Sequence, residues 1–186
     1  MKVKSLHIYP IKSCGGVKVS EMTVSGRGPL YDRWWMVVDQ NNEVITQRTH
    51  PQMSQVNVGF FQDSQIEMKA PGMEFMDFGV EEFDDSNVFE SKIWNEVAKV
   101  NEVDPEVSQW MSDFLKTSCK VVRIFEDYHR KVDPAFGDGE LAFADQHPFL
   151  VISSESLEFL NQQLNKSLAM TRFRPNIVVE TEEAHE

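Results

Sequence analysis

Two neighbouring side chains near the amino terminus could grip an anion together: the ammonium of Lys12 and the hydroxyl of Ser13. They lie in Ile8-Tyr9-Pro10-Ile11-Lys12-Ser13-Cys14-Gly15-Gly16-Val17, an apolar stretch stopped by a proline and followed by a polar turn. Pro10 removes a backbone donor and biases Tyr9 toward an extended conformation, so a regular strand should end there. Gly15-Gly16 permits positive φ and close backbone approach. A turn of this kind can aim Lys12 and Ser13 at one anion, with free backbone N–H groups adding a shallow nest. The plainer reading is a surface hairpin with a solvated lysine, and no phosphate-loop spacing is present.

Other reactive side chains are fewer. Arg33 follows Asp32 and can pair with Asp32 or Asp39; alternatively its planar fork faces the same cavity as Lys12 and holds a phosphate at two points. Asp145 and His147 could make a catalytic pair, but no nucleophile accompanies them. Cys14 and Cys119 are too few and too far apart for a metal knuckle or a disulfide framework, which leaves free thiols in a reducing compartment. Glu81, Glu82, Asp84 and Asp85 have no histidine or ordered spacing, so a solvated loop is expected rather than a cation cage. His129-Arg130-Lys131 is the most basic spot and reads as part of an exposed, mobile loop over 127–140, one that could gate a pocket.

The elements that must position these groups are mostly strands. Residues 3–9, 17–19, 22–25, 33–39 and 43–46 read as strands, the last two as a hairpin around Asp39-Gln40-Asn41-Asn42. The run Trp34-Trp35-Met36-Val37-Val38 is apolar almost throughout, which implies burial on both faces. Short β-like segments continue over 55–60, 65–69, 73–78, 87–94, 96–100 and 120–125, with turn residues such as Asp63-Ser64, Pro71-Gly72 and Asp84-Asp85-Ser86 between them. Many short strands at near-regular spacing indicate a small barrel or sandwich. Asp104-Pro105 opens a helix whose Val107, Trp110, Met111, Phe114 and Leu115 share one face. A strand over 149–152 leads to Ser153-Ser154-Glu155 and a second amphipathic helix with Leu157, Leu160 and Leu164; serines at such a join either cap the helix or offer N–H groups to an anion. Phe173 should anchor in the core between Arg172 and Arg174, ahead of a strand over 177–179.

Thirty acidic and eighteen basic residues leave a net charge of −12. That balance argues against a protein that coats nucleic acid or anionic membrane, while leaving room for a local basic pocket. No apolar run approaches the length of a membrane span, and Lys2, Lys4 and His7 interrupt any signal-peptide core. A soluble, cytoplasmic protein is expected.

Taken in order, the Lys12-Ser13 turn, Tyr31-Asp32-Arg33-Trp34-Trp35-Met36-Val37-Val38-Asp39, Thr46-Gln47-Arg48 and Arg172-Phe173-Arg174-Pro175-Asn176-Ile177-Val178-Val179 resemble the MOSC superfamily. The similarity spans nearly the whole chain and is closest to proteins that pair an N-terminal MOSC-associated β-barrel with a MOSC domain, as in the mitochondrial amidoxime reducing component and its bacterial relatives. It implies a mainly β (α+β) fold: a small β-barrel domain over 1–118, then an incomplete MOSC β-barrel over 119–186, with two amphipathic helices. It also implies a molybdenum cofactor (molybdopterin) whose phosphate is anchored by Lys12, Ser13, Arg33 and Arg174, with the segment holding Asp145 and His147 approaching it. The implied chemistry is two-electron reduction of a small-molecule substrate, typically an N-hydroxylated compound, with electrons from a flavin or iron–sulfur partner domain or protein. A family cysteine that binds molybdenum has no counterpart at Cys14 or Cys119, so the chain is expected to be a fragment, inactive alone, holding the phosphate-anchoring half of the site. The competing reading is a non-catalytic β-barrel module for an anionic small molecule, pyridoxal phosphate or similar, or for a redox partner. Convergence of Lys12, Arg33 and Arg174 on one cleft is what cofactor anchoring requires.

Overall fold

The computed structural model describes residues 1–61, 64–81 and 87–185, and is mainly β with two α-helices. Asp63, Glu82, Asp84, Asp85 and Ser86, read above as turn and loop residues, lie outside the described residues. Glu81 is described and stands 3.6 Å from Arg123 Nη2.

A five-stranded antiparallel sheet runs in the order Val88–Ile93, Glu96–Glu102, Cys119–Ile124, Trp35–Asp39, Val44–Ile45. Its interior strand Trp35–Asp39 explains its own sequence, because alternate side chains enter two different cores. Trp35 and Val37 pack with Ile11, Met53 and Met111, whereas Met36 and Val38 pack with Ile93, Val122 and Phe143. All four strand residues are fully buried, each worth roughly 1.5–3 kcal/mol on leaving water. Asp39 closes the hairpin by accepting from the backbone N–H groups of Asn41 and Glu43.

The strands Asn57–Phe61, Gln65–Lys69 and Met76–Gly79 form a second antiparallel sheet. Helix α1 (Pro105–Leu115) packs beside it and against Cys119–Ile124. Asp104 caps α1 by accepting from Glu106 N at 2.7 Å, a cap worth about 1 kcal/mol, and Trp110 Nε1 ties the helix to Glu74 O at 2.7 Å. Ser108 is buried, and its hydroxyl joins Glu102 to Val121 N.

A third sheet has the order Val151–Ser153, Ile177–Glu180, Lys2–Ile8, Val17–Val19. Val151–Ser153 runs parallel to Ile177–Glu180, as its connection through helix α2 (Ser154–Leu164) demands, and the other pairs are antiparallel. The leucines of α2 do not form a buried face: no residue of the helix is fully buried, and Leu164 is 46 % exposed. Among the described residues, no helix is long and apolar enough to cross a membrane.

Two of these sheets combine distant parts of the chain. Cys119–Ile124 lies in the middle of the five-stranded sheet, and Lys2–Ile8 joins strands from residues beyond 150. The segment that links the two sheets carries Lys12.

Candidate functional site

After Lys2–Ile8 the backbone turns to lie along Trp35. Trp35 N donates to Pro10 O at 3.2 Å, Lys12 N donates to Trp35 O at 2.7 Å, and Ile11 forms a parallel bridge with Trp35. Anchored this way, Lys12 sends Nζ 2.8 Å from Phe143 O and 2.6 Å from the carboxylate of Asp145. The lysine is 6 % exposed, which overturns the solvated-hairpin reading. Burial lowers its pKa, and Asp145 only partly offsets that while Arg130 and Arg33 add to it.

The turn is built differently from its sequence reading. Ser13, not either following glycine, takes the positive φ (69°). The glycines are required for close approach: a Cβ on Gly15 would fall 2.7 Å from Val56 O, and one on Gly16 would fall 2.3 Å from Tyr9 Cε1. Tyr9 therefore lies against the turn, with the guanidinium carbons of Arg33 and Arg174 at 4.6 and 4.4 Å from its ring centroid. The ring face attracts both cations.

Arg33 combines its two alternatives. It pairs with Asp32, not Asp39, donates to Asn176 Oδ1 at 3.2 Å and to Arg174 O at 2.9 Å, and still lines the cleft. Asp32 is buried and also accepts from Tyr9 N at 2.8 Å. Burial raises its pKa, with Arg33 and the hydrogen bonds pulling the other way. Asn176 holds backbone: it accepts from Leu150 N at 3.1 Å and donates to His7 O at 3.2 Å.

Arg174 adopts φ of 57° and donates from Nη1 to Cys14 O. Its Nη2 is buried with no hydrogen-bond partner among the described residues. Among the described residues neither Arg174 nor Arg48 has an ion pair. Burial, then the nearby charge of Arg33, push the Arg174 pKa down to about 10, so it stays charged at neutral pH under repulsion. Phe173 is only partly buried and lines the cleft instead of the core, while Arg172 is exposed and lies outside it.

Lys12, Ser13, Arg33, Asp145, His147 and Arg174 all line one cleft of about 390 Å³. Asp145 is the one carboxylate of its lining, against the cations Lys12, Arg33, Arg48 and Arg174. Its pKa is lowered: burial alone would raise it, but the neighbouring charge and hydrogen bond of Lys12 prevail. His147 is exposed at the rim, edge-on to Phe136 with centroids 5.3 Å apart.

Two lining residues escaped the sequence reading as site residues. Trp94 occupies the two-residue turn between Val88–Ile93 and Glu96–Glu102 with φ of 55°, donates from Nε1 to Asp145 at 3.2 Å, and carries Arg48 at 4.4 Å from its ring. It reads locally as the end of an apolar strand, and a bulky residue at positive φ gives no turn signal. Arg48 follows Gln47, whose Nε2 donates to Ser13 O at 2.6 Å and so props the turn.

The basic loop is also corrected. Residues 127–140 contain the strand Arg130–Lys131, which pairs with Glu140–Leu141. His129 and Lys131 are exposed and share Glu140, but Arg130 is 3 % exposed. Its guanidinium meets Glu96 at 2.6 Å and donates to the carbonyls of Ala142 and Ala144.

Neither thiol lines the cleft, and among the described residues no group of three His, Cys, Asp or Glu could hold a metal. Cys14 is fully buried and its thiol is pushed up to about 12; burial also raises Cys119, where Ser112 opposes the shift. Thiolate is the reactive form, so both should resist iodoacetamide at mildly alkaline pH and be alkylated in denaturant. Labelling of Cys14 in the native chain, read by mass spectrometry, would contradict this placement.

The four cations and the Ser13 hydroxyl are donors of the kind that suit an anion such as a phosphate. Residues 1–118 match the MOSC N-terminal beta barrel domain and residues 138–186 the MOSC domain. The mitochondrial amidoxime reducing component 2 of Bos taurus is 31% identical over 187 residues, which cover 95% of this chain and 55% of that protein. The molybdenum cofactor sulfurase of Danio rerio is 27% identical over 201 residues, covering 96% of this chain and 24% of that one. A solution structure of a protein coded by a gene locus of Bordetella bronchiseptica is alike in fold, with TM-score 0.52 and 19% identity over 65% of this chain and 89% of that chain. This chain spans about half the length of the amidoxime-reducing relative. With one matching domain over its first 118 residues and a second after residue 138, the chain belongs to the MOSC family.

Proposed function

We propose that this chain holds the phosphate-bearing end of a molybdenum cofactor, in a protein that reduces N-hydroxylated compounds. The observation that carries this reading is a local reversal of charge: four cations face one carboxylate in a cleft of a chain whose net charge is −12. Arg174 sharpens it, because a buried guanidinium nitrogen without an acceptor is costly and a phosphate oxygen would supply one. The names of the relatives point the same way, one to amidoxime reduction and one to the molybdenum cofactor.

Lys12, Ser13, Arg33 and Arg174 would hold the phosphate, with Asp145 and His147 at the rim. Tyr9 and Asp32 keep the two arginines in place, and the Trp35 backbone keeps Lys12 in place. The cofactor, when bound, supplies the two-electron chemistry. Electrons would come from a flavin or iron–sulfur partner, and the volume of the cleft is within the usual range for a small-molecule site.

Titration with inorganic phosphate, followed by calorimetry and by the amide signals of Lys12, Ser13, Arg33 and Arg174, tests the reading. A hydrogen bond to a charged group contributes about 1.5–3 kcal/mol, so Arg174→Ala should weaken binding about ten- to a hundredfold. Equal affinity in wild type and Arg174→Ala, or signal changes confined to His129 and Lys131, would remove the cleft from consideration.

A further inference from the structure

We propose that Asp145 is a built-in counter-ion that sets the charge of the ligand: its carboxylate occupies the place beside Lys12 that an incoming anion must take, so the cleft selects doubly charged phosphomonoesters over singly charged anions. This rests on the reading of the cleft as a phosphate site. One carboxylate oxygen of Asp145 meets both Lys12 Nζ, at 2.6 Å, and Trp94 Nε1, at 3.2 Å. The partners differ in freedom: the lysine side chain is 7 % exposed and the aspartate side chain 62 %. Lys12 is also fixed by Phe143 O. The aspartate side chain is therefore the member that can swing out.

Its backbone is held still behind it. The buried guanidinium of Arg130 is paired with Glu96 and donates to Ala142 O, to Ala144 O and, at 3.4 Å, to Asp145 O. Displacement is thus confined to one side chain. Trp94, a bulky residue held at positive φ, keeps that side chain in the cleft, the kind of backbone strain found where a fold maintains a functional contact. Its ring lies 4.4 Å from Arg48 and 5.6 Å from Lys12, so the carboxylate sits within the cationic cluster.

Exchange decides the selectivity. A monoanion that replaces the Asp145 carboxylate swaps one negative charge for another and gains little. A phosphomonoester dianion brings a second charge to the four cations. The resident carboxylate thus weakens every anion alike, and only one of higher charge retains useful affinity.

The test compares wild type, Asp145→Asn and Trp94→Phe, titrated with inorganic phosphate and with formate at mildly alkaline pH, by calorimetry and tryptophan emission. Wild type should prefer phosphate. Asp145→Asn should bind formate about tenfold tighter than wild type does, and phosphate tighter by at least as much, a typical size for the coupling between competing occupants. Trp94→Phe removes one of the two restraints on the carboxylate and should shift formate affinity in the same direction by less. If wild type binds phosphate and Asp145→Asn binds formate no tighter, or loses phosphate binding, the counter-ion role is wrong while the phosphate site stands. If neither protein binds phosphate in a way that Arg174→Ala weakens, the phosphate reading fails and takes the inference with it.

Discussion

Asp32→Ala should lower the stability of the chain by about 3–5 kcal/mol, the loss typical of removing one partner from a buried ion pair. The Asp32 side chain is 2 % exposed and has two clients, the guanidinium of Arg33 and the amide of Tyr9. Without it, Arg33 loses its paired carboxylate while Arg174 stays beside it at the Tyr9 ring, and a buried N–H loses its acceptor. Replacing a whole buried pair with apolar groups can be nearly neutral; removing only the acid is not, because the desolvated cation remains. Asp32→Asn keeps an acceptor for Tyr9 and should fall between Ala and wild type. Urea unfolding with unchanged slope is the measurement. A midpoint for Asp32→Ala close to that of wild type would mean that the arginine pair does not depend on this carboxylate.

Gly16→Ala should destabilise by about 1–3 kcal/mol, the usual range for overpacking. The new Cβ would lie 2.3 and 2.4 Å from two ring carbons of Tyr9 and 3.0 Å from Ile8 O. Tyr9 is buried and both guanidinium groups lie against its ring, so moving the ring disturbs them as well. Any relief must come from moving the cradle itself, and phosphate affinity should fall along with stability. Gly26→Ala is the control, since a Cβ there meets nothing within 4 Å. Equal stability of the two variants would show that Tyr9 is not pinned.

Local chemistry was enough to place most strands and both helices. Asp104-Pro105 marked the start of α1, and the unbroken apolar run before Asp39 marked a strand buried on two faces. What those signals could not convey is what each face meets. The leucines of α2 have helical spacing, yet nothing among the described residues buries them fully. Arg130 looked exposed because its sequence neighbours are polar, and it is buried because Glu96 and carbonyls from residues 142–145 take its donors. Trp94 gave no sign of its role, since that role depends on a turn geometry and on Asp145, which is far away in sequence. Grouping Lys12, Arg33 and Arg174 rested on the ordered family motifs; no spacing rule would have put them in one cleft.

The pairing of Lys2–Ile8 with Ile177–Glu180 has a consequence for how the molecule comes into being. As the chain leaves the ribosome, the first strand has only Val17–Val19 to pair with, and a lone two-stranded ribbon is marginal in water. Its other edge stays open until Ile177–Glu180 has been made. Contacts of such long sequence separation close slowly. Lys12 follows soon after that strand and Arg174 shortly precedes its partner, so the anion cradle cannot assemble before residues 174–180 have been made, and ligand would meet it only once this long-range pairing has closed.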